Sequence, residues 1–342
     1  LDIYEHIFPL VIVSFTGQLL ISSIIKRFYT RSKNWLYLDQ GDEILNKIFD
    51  EFDEIIFAKK LNFKLDFANR IDDINLKSYM GLIIDDFSKL NTYQLNRLIS
   101  FRQQGLLILG SLDWFGRYFE RYPSSLLKDS HFIKDDIKRY YNLQMILKRV
   151  GDILFSLGLL LITLPVLILA ILAIYLDEKG NVIYSQERIG LNGNKFFIYK
   201  LRSMHLNAEE KGAVWSKKND SRITKVGKWL RLSRVDELPQ LISVIKGEMS
   251  LIGPRPERPE IDLYLSKNIK NYNVRYNLKP GLSGWAQVNY PYGASVEDSR
   301  IKMSFDLYYL KNVSIALDLL IFFKTIRLVL NARGSRPSKY FN

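Results

Sequence analysis

The chain has 342 residues, 47% of them hydrophobic, and no cysteine, which excludes a disulfide scaffold, a thiolate nucleophile and a cysteine-ligated metal centre. Three scattered histidines, His6, His131 and His205, argue against a histidine-rich metal site. Residues 1–140 carry 19 basic and 19 acidic side chains and residues 141–342 carry 30 and 17, so the whole net charge of +13 lies in the second part. A basic part indicates a polyanionic partner, which is nucleic acid, anionic lipid or a phosphorylated substrate. The length predicts two domains, or one large domain with an extension.

The first element is an uncharged run over residues 7–25, which is long enough to span a hydrocarbon core. Lys26 and Arg27 follow it directly, so the positive-inside rule places its C-terminal end in the cytoplasm. A cleaved signal peptide would carry its basic residues before the apolar run, which excludes that interpretation. The alternative is a buried core helix. Because the chain begins at Leu1, we expect it to be a fragment of a longer protein with earlier membrane segments.

Residues 34–122 have the pattern of a small α/β domain, in which short apolar runs alternate with amphipathic stretches. A dinucleotide site needs several glycines where the first strand meets its helix, but only Gly41 lies there, among acidic residues. We therefore predict a degenerate Rossmann-like domain with a structural or regulatory role and no cofactor. The predicted parallel strands are 35–38, 54–58, 80–84 and 106–109, and the predicted amphipathic helices are 42–52 and 92–103.

A polar stretch over residues 123–144 is predicted to be a linker, and a second uncharged run follows over residues 153–176. A straight crossing there would export the basic part of the chain, against the positive-inside rule. Pro165 lies in the middle of the run, and proline removes a backbone donor and can kink a helix sharply. We predict a helix broken near Pro165 that dips into the bilayer and returns to the same face. The alternative is an ordinary spanning helix that tolerates its proline.

The next motif combines residues 186–190 with an alternating strand over residues 197–204 that ends in Lys200 and Arg202. Lysine and arginine at a strand end indicate a phosphate grip, although such a pattern is also typical of a solvated strand edge.

A carboxylate pair, Asp236 and Glu237, precedes a predicted helix over residues 239–246, which begins with Pro239 and is capped by Gly247. The helix dipole, Arg231 and Arg234 all favour ionised carboxylates. One ionised carboxylate can attack phosphorus while the other holds Mg²⁺ against phosphate oxygens. The alternative is ordinary capping chemistry at a helix start.

Two further motifs lie in the basic part. In the first, Pro254 and Pro256 fix the backbone on both sides of Arg255, which suits recognition of a phosphate or a base. In the second, residues 279–289 form a Gly/Pro-punctuated loop with Trp285, which would lie at a membrane interface or against a ligand. Residues 314–330 then predict a helix along a membrane surface or, equally on periodicity, a core helix.

Taken in order, these motifs resemble the bacterial sugar transferases, also called monotopic phosphoglycosyl transferases. The resemblance covers about residues 145–335 and includes the proline-containing apolar helix, the Asp236–Glu237 pair and the loop around Arg255. The N-terminal half resembles the degenerate nucleotide-binding-like domain of the long polyprenyl glycosylphosphotransferases of exopolysaccharide synthesis.

The resemblance implies transfer of a sugar-1-phosphate from a UDP-sugar to polyprenyl (undecaprenyl) phosphate. Asp236 matches the nucleophile, which would form a covalent phosphosugar intermediate and release UMP, and Glu237 matches the residue that binds Mg²⁺. Arg255, with Pro254 and Pro256, matches the nucleotide-contacting loop. Many members have serine where this chain has Arg234, so a hydroxyl-specific role is not expected there. The basic positions expected around the phosphates are Lys200, Arg202, Arg188 and Arg231.

The predicted fold is an α/β membrane protein. It has a transmembrane segment and basic flank (1–33), a Rossmann-like domain (34–122), a linker (123–144) and an α/β catalytic domain (145–342) with a re-entrant helix (153–176) and amphipathic surface helices. The resemblance places it at the bacterial inner membrane, with the catalytic domain on the cytoplasmic face. We expect membrane lipid as a partner, possible homo-oligomers and no nucleic acid. The competing hypothesis is a non-catalytic membrane-surface scaffold whose basic face binds anionic lipid.

Overall fold

A computed structural model describes residues 33–38, 63–68, 79–127, 143–208, 220–290 and 295–330. The chain divides into two compact units, Leu1–Trp114 and Phe115–Asn342, which are described separately. The predicted transmembrane run (7–25), the strand at 54–58, the helix at 42–52 and the linker residues 128–142 lie outside the described residues.

The first unit contains a four-stranded, fully parallel sheet in the order β2-β1-β3-β4. Helix α1 connects β3 to β4 and matches the predicted range, and its N-terminus carries a capping box between Asn91 and Gln94. The core contains Leu36, Leu82 and Phe101. The elements are β1 (Lys33–Leu38), β2 (Phe63–Ala68), β3 (Gly81–Ile84), α1 (Thr92–Gln103) and β4 (Leu107–Gly110).

Helix α2 (Ser111–Phe119) begins directly after β4, and the boundary between the two units falls inside it. In the second unit, α3 (Leu143–Asp177) is 35 residues long and carries the predicted membrane run. It is the helix among the described residues that is long and apolar enough to cross a membrane. Most of its apolar side chains are exposed, as Leu161 and Ile162 are at 75% each.

We predicted that this helix is broken at Pro165. In the structure α3 continues without interruption from Leu143 to Asp177 with Pro165 inside it, which corrects the predicted break. Two residues before the proline, Thr163 Oγ1 donates back to the carbonyl oxygen of Leu159 at 2.6 Å, a contact that often bends helices. The return of the helix to one membrane face stays a prediction.

The second unit contains two small sheets. One is an antiparallel hairpin of β5 (Ile183–Ile189) and β6 (Lys195–Leu201), and the other is a short parallel pair of β7 (Ser250–Ile252) and β8 (Gly281–Ser283). Its core contains Ile198, Leu241, Val244 and Trp285, so the hairpin and the helices that follow it share one apolar interior. The remaining helices are α4 (Lys225–Ser233), α5 (Gln240–Lys246), α6 (Pro259–Asn268), α7 (Trp285–Asn289), α8 (Val296–Lys311) and α9 (Ile315–Leu330).

Two sequence predictions in this unit can be compared directly. Helix α5 begins after Pro239 and ends at Gly247, whose φ of 92° is the left-handed conformation that glycine adopts at a helix end, so the predicted helix is confirmed. Helix α9 packs into the core through Ile321, which is fully buried, whereas Phe323 is 64% exposed; its position along a membrane surface stays a prediction.

Candidate active site

The carboxylate pair lies in a sharp turn between α4 and α5. Arg234 ends α4 in the left-handed conformation (φ 60°), and a single 3-10 turn, Val235–Glu237, follows it. Non-glycine residues rarely adopt positive φ, so the surrounding packing must hold this turn in place. Asp236 and Glu237 are both only 7% exposed.

Glu237 is surrounded by cations. Its Oε1 accepts hydrogen bonds from Lys200 Nζ at 3.0 Å and from Arg255 Nη2 at 2.6 Å. Arg234 Nη1 lies 3.5 Å from its Oε2. Burial opposes ionisation, but the positive charges of Arg255, Lys200 and Arg234 outweigh it and hold the pKa of Glu237 well below its usual range.

Asp236 is in the opposite situation. Its Oδ1 is buried, and no hydrogen-bond partner for it lies among the described residues. Burial raises the pKa of Asp236, and the charge of Glu237 raises it further, although Lys200, Arg234 and Arg231 act against both. The sequence predicted that nearby arginines favour the ionised form of Asp236. In the structure their charges do not offset the effect of burial on its pKa. Adjacent carboxylates with pKa values driven apart are typical of active sites in which the two groups have different roles.

The loop that carries Arg255 is held through its backbone. Arg275 Nη2 donates to the carbonyl oxygen of Arg255 at 2.5 Å, and Arg188 Nη1 donates to that of Pro256 at 3.0 Å. With Pro254 and Pro256 on either side, the backbone at Arg255 has little freedom. The structure therefore brings Arg255 to Glu237. Arg188 contacts the loop at Pro256, and burial lowers the pKa of Arg188 to about 10.

Arg202 lies apart from the carboxylate pair, at the C-terminal end of α3. Its Nη2 donates to the carbonyl oxygens of Glu178 and, at 3.4 Å, of Ile174. Carbonyl groups at a helix end lack intrahelical partners, so a cation there stabilises the helix. Arg202 thus fixes the end of α3, whereas Arg231 lies on α4 and its charge lowers the pKa of Asp236.

These side chains share one large open cavity of about 1820 Å³. Its apolar wall includes Leu159 and Val166 of α3 and Phe322 and Ile326 of α9, so a charged region and an apolar region are continuous. Pro165 lies between Thr163 and Val166, which both line the cavity. The predicted site residues in the lining are Asp236, Glu237, Lys200, Arg202, Arg188, Arg231 and Arg255.

Sequence reasoning missed a second layer behind the Arg255 loop. Arg275 is buried, and its guanidinium also contacts Tyr272 and lies 3.2 Å from Asp306 Oδ2. Burial raises the pKa of Asp306 to about 6, although Arg275 and Lys302 favour its ionised form. No motif marks these residues, because Tyr272 and Arg275 share one 3-10 turn while Asp306 and Lys302 lie on α8, and the two groups meet only in the folded chain.

The carboxylate pair also offers oxygens for a divalent cation. Asp236 Oδ1 has no hydrogen-bond partner among the described residues, and the cation contacts of Glu237 Oε2 are 3.5 Å long. Mg²⁺ is commonly held by one or two carboxylates while waters and substrate phosphates complete its shell. The described residues contain no cluster of three or more metal-ligating side chains, so this pair fits the ion as a partial site completed by a substrate.

A buried carboxylate pair, several cations and a long apolar helix thus line one cavity. Residues 143–332, more than half of the chain, match the bacterial sugar transferase family. The chain therefore belongs to this family, which confirms the resemblance drawn from the motifs.

Several curated relatives carry specific names. A UDP-N-acetylgalactosamine-undecaprenyl-phosphate N-acetylgalactosaminephosphotransferase of Aeromonas hydrophila is 44% identical over 190 residues, which is 56% of this chain and 45% of that protein. A UDP-glucose:undecaprenyl-phosphate glucose-1-phosphate transferase of Escherichia coli is 38% identical over 53% of this chain and 39% of its own length. A putative undecaprenyl-phosphate N-acetylgalactosaminyl 1-phosphate transferase of Bacillus subtilis is 48% identical over 38% of this chain and 72% of its own length. The alignments thus cover less than half of the two longer relatives.

Proposed function

We propose that the protein transfers a sugar-1-phosphate from a UDP-sugar to undecaprenyl phosphate at the cytoplasmic face of the bacterial inner membrane, as the first membrane step of exopolysaccharide or glycan assembly. The observation that carries the proposal is the Asp236–Glu237 pair. One carboxylate is buried without a partner among the described residues, and the other is paired with Lys200 and Arg255 in the same cavity. The names of the relatives, which specify UDP-sugars and undecaprenyl phosphate, support this reaction.

In the first step, a carboxylate oxygen of Asp236 attacks the phosphorus that carries the sugar. The bond from that phosphorus to the bridging oxygen of the diphosphate breaks, and UMP leaves with the electron pair. Asp236 is then joined to the phosphosugar as an acyl phosphate. Two anions must approach each other here, which costs Coulomb energy unless cations are close, and Lys200 and Arg255 provide positive charge in the same cavity.

In the second step, a phosphate oxygen of undecaprenyl phosphate attacks the same phosphorus. The bond between Asp236 and phosphorus breaks, the carboxylate is regenerated, and the sugar is left on an undecaprenyl diphosphate. The acceptor combines an anionic head with a very apolar tail. The cavity suits such an amphiphile, because its charged region continues into the apolar walls of α3 and α9.

For Mg²⁺ we propose Glu237 as the protein ligand, through Oε2, whose contacts with cations are 3.5 Å long. The neighbouring residue Asp236 offers a second oxygen, Oδ1, which has no hydrogen-bond partner among the described residues. When bound, the ion would supply positive charge to the phosphate oxygens of the donor. Lys200 and Arg255 meanwhile hold the Glu237 carboxylate in one orientation, since both donate to its Oε1.

The membrane arrangement is part of the proposal. A cytoplasmic donor and a lipid acceptor must meet at the bilayer surface, and an α3 that enters and leaves at one face would keep the active site there. The exposure of its apolar side chains supports contact with lipid, and Pro165 together with the Thr163 back-bond marks the place where the continuous helix can bend. The scaffold alternative is less favoured, because binding anionic lipid requires no buried carboxylate pair and burying Asp236 costs stability.

The decisive experiment incubates the purified protein with a UDP-sugar radiolabelled on the phosphate next to the sugar, without acceptor. Label should become attached to the protein and UMP should be released, and Asp236→Asn should abolish both. Glu260→Gln is a matched control, because Glu260 is an exposed acid that does not line the cavity. UMP release without attached label would contradict the covalent route, and a fully active Asp236→Asn variant would contradict the assignment of the nucleophile.

A further inference from the structure

The first ten residues of α3 carry three ionisable side chains, Lys148, Arg149 and Asp152, ahead of its uncharged run. All three point to partners more than ninety residues away in the chain. Their contacts go mainly to backbone groups, which fixes the path of the partner segments. This end of the helix is called the α3 base below and comprises residues 143–152.

Asp152 and Lys148 hold the whole of β7. Asp152 is 7% exposed, and it accepts from Ser250 Oγ at 2.8 Å and from the backbone N–H of Leu251 at 3.0 Å. Lys148 Nζ donates to the carbonyl oxygen of Ile252 at 3.0 Å. Each residue of the strand therefore has a polar contact with the α3 base.

Strand β7 leads directly to the active-site arginine. Gly253 connects it to Pro254 and Arg255, and its N–H donates to the carbonyl oxygen of Ser283 at 2.9 Å. A Cβ atom at Gly253 would lie 2.4 Å from the carbonyl oxygen of Lys279, so the chain just after β7 packs closely on this neighbouring segment and has little room to absorb a movement of the strand. A displacement of β7 would consequently be passed on to Arg255.

The α3 base also holds the helix that follows the carboxylate pair. Arg149 donates to the carbonyl oxygens of Val244 at 2.6 Å and Ile245 at 2.7 Å, which are in the last turn of α5. Lys148 is bound in turn by Asp318 of α9 at 2.8 Å. One short helical segment thus contacts the helix that follows Glu237 and the strand that precedes Arg255.

We infer that Asp152 and Lys148 are positioning residues for the transfer reaction, which set Arg255 against Glu237 by fixing β7. The inference rests on the proposed function and deepens it. Misplacing a reacting group by about 1 Å can cost about a hundredfold in rate, so loss of these contacts should slow the chemistry directly. A purely topological role, in which basic residues only keep the end of α3 in the cytoplasm, would leave the chemistry unaffected once membranes are removed.

The test uses the full chain in detergent, with UDP-sugar and no acceptor, so that neither a bilayer nor a lipid substrate takes part. Asp152→Ala and Lys148→Met should each slow UMP release by about tenfold or more. Asp152→Asn should recover most of the rate, because an amide of the same shape can still bond Leu251 and Ser250. Gln144→Ala is the matched control on the same helix, since Gln144 is exposed and contacts none of these groups, and it should react like the parent chain. Unchanged rates in both Asp152→Ala and Lys148→Met would overturn the inference.

Amide hydrogen exchange provides a readout that does not depend on catalysis. Exchange in residues 250–257 should be faster in Asp152→Ala and Lys148→Met than in Gln144→Ala, and Asp152→Asn should lie near the control. If one variant fails to fold, the other decides. If exchange in this segment does not change, the positioning role is wrong even where activity falls. If the parent chain releases no UMP but exchange changes as expected, the proposed reaction fails while the anchoring of the Arg255 loop stands.

Discussion

Arg275 donates a 2.5 Å hydrogen bond to the carbonyl oxygen of Arg255, the residue whose guanidinium binds Glu237. The same guanidinium pairs with Asp306 at 3.2 Å. Its Nη2 makes both of these contacts while Nη1 donates to Tyr272, and lysine, which has a single nitrogen and no planar fork, cannot reproduce all three contacts in this geometry. We expect Arg275→Lys to lower kcat/KM for the UDP-sugar by about tenfold, equivalent to about 1.4 kcal/mol of transition-state stabilisation. Initial rates of UMP release across donor concentrations measure this.

A matched control exists on α8. Arg300 forms an exposed ion pair with Glu297 at 2.7 Å, in which both side chains are at least 40% exposed. Exposed pairs contribute little, so Arg300→Lys should leave the kinetics unchanged. If Arg275→Lys were as active as Arg300→Lys, the backbone contact would have no role in holding Arg255.

The two carboxylates should have opposite effects on stability. Burial is the main cause that raises the pKa of Asp236 in the folded chain. Over the pH interval just above the ordinary aspartate pKa, the folded state therefore keeps a proton that the unfolded state has lost. Stability therefore falls with pH across that interval and stays lower above it. Asp236→Asn removes this cost and should raise Tm at neutral pH, although it abolishes activity.

The charge of Glu237 has the opposite effect on the stability of the fold. Burial opposes its charge, but Arg255, Lys200 and Arg234 hold its pKa well below the usual value, so its ionised form stabilises the fold above that value. Removing one partner of a buried pair costs about 3 kcal/mol, and Glu237→Gln should lower Tm at the same pH. Thermal scans of both variants in one detergent measure the contrast. Shifts of the same sign would contradict the opposite pKa directions.

The elements that local sequence signals mark were predicted well. Helix α5 follows from Pro239 and Gly247, and α1 follows from its amphipathic pattern, because caps and periodicity are properties of neighbouring residues. Strand β2 was missed, since Phe63–Ala68 alternates apolar residues with Lys64 and Asp66 as an edge strand does, whereas continuous apolar runs were sought.

The parts of the site that depend on tertiary structure could not be predicted in the same way. Arg275 reaches Arg255 and Asp306 across 20 and 31 residues, and nothing local distinguishes it from a surface arginine. The direction of the Asp236 pKa was also misjudged. Nearby arginines are visible in the sequence, but the burial that outweighs them is a property of the fold.

Helix α4 lies very close to the chain that follows β6 at Gly227. A Cβ atom there would lie 2.0 Å from the carbonyl oxygen of Ser203, so alanine forces α4 away from the chain that follows β6. We expect Gly227→Ala to lower the free energy of unfolding by about 2 kcal/mol, as overpacking typically does. Gly158→Ala is the control, because among the described residues nothing outside the backbone of its own helix lies within 4 Å of its Cβ position, and it should cause no loss. Equal Tm values for the two variants would show that the approach is looser than 2.0 Å.

The pH dependence of UMP release should identify the attacking group. Asp236 must be ionised to attack phosphorus, and burial and Glu237 raise its pKa above the ordinary value of about 3.9. The rate should consequently fall on the acidic side at a higher pH than an exposed aspartate would require. Arg231 favours the ionised form, so Arg231→Gln removes positive charge, raises this pKa further and should move the acidic limb to higher pH. Arg300→Gln, which removes an exposed arginine outside the cavity, should leave the limb in place. A limb that moves to lower pH in Arg231→Gln, or does not move, would assign the titration to a group other than Asp236.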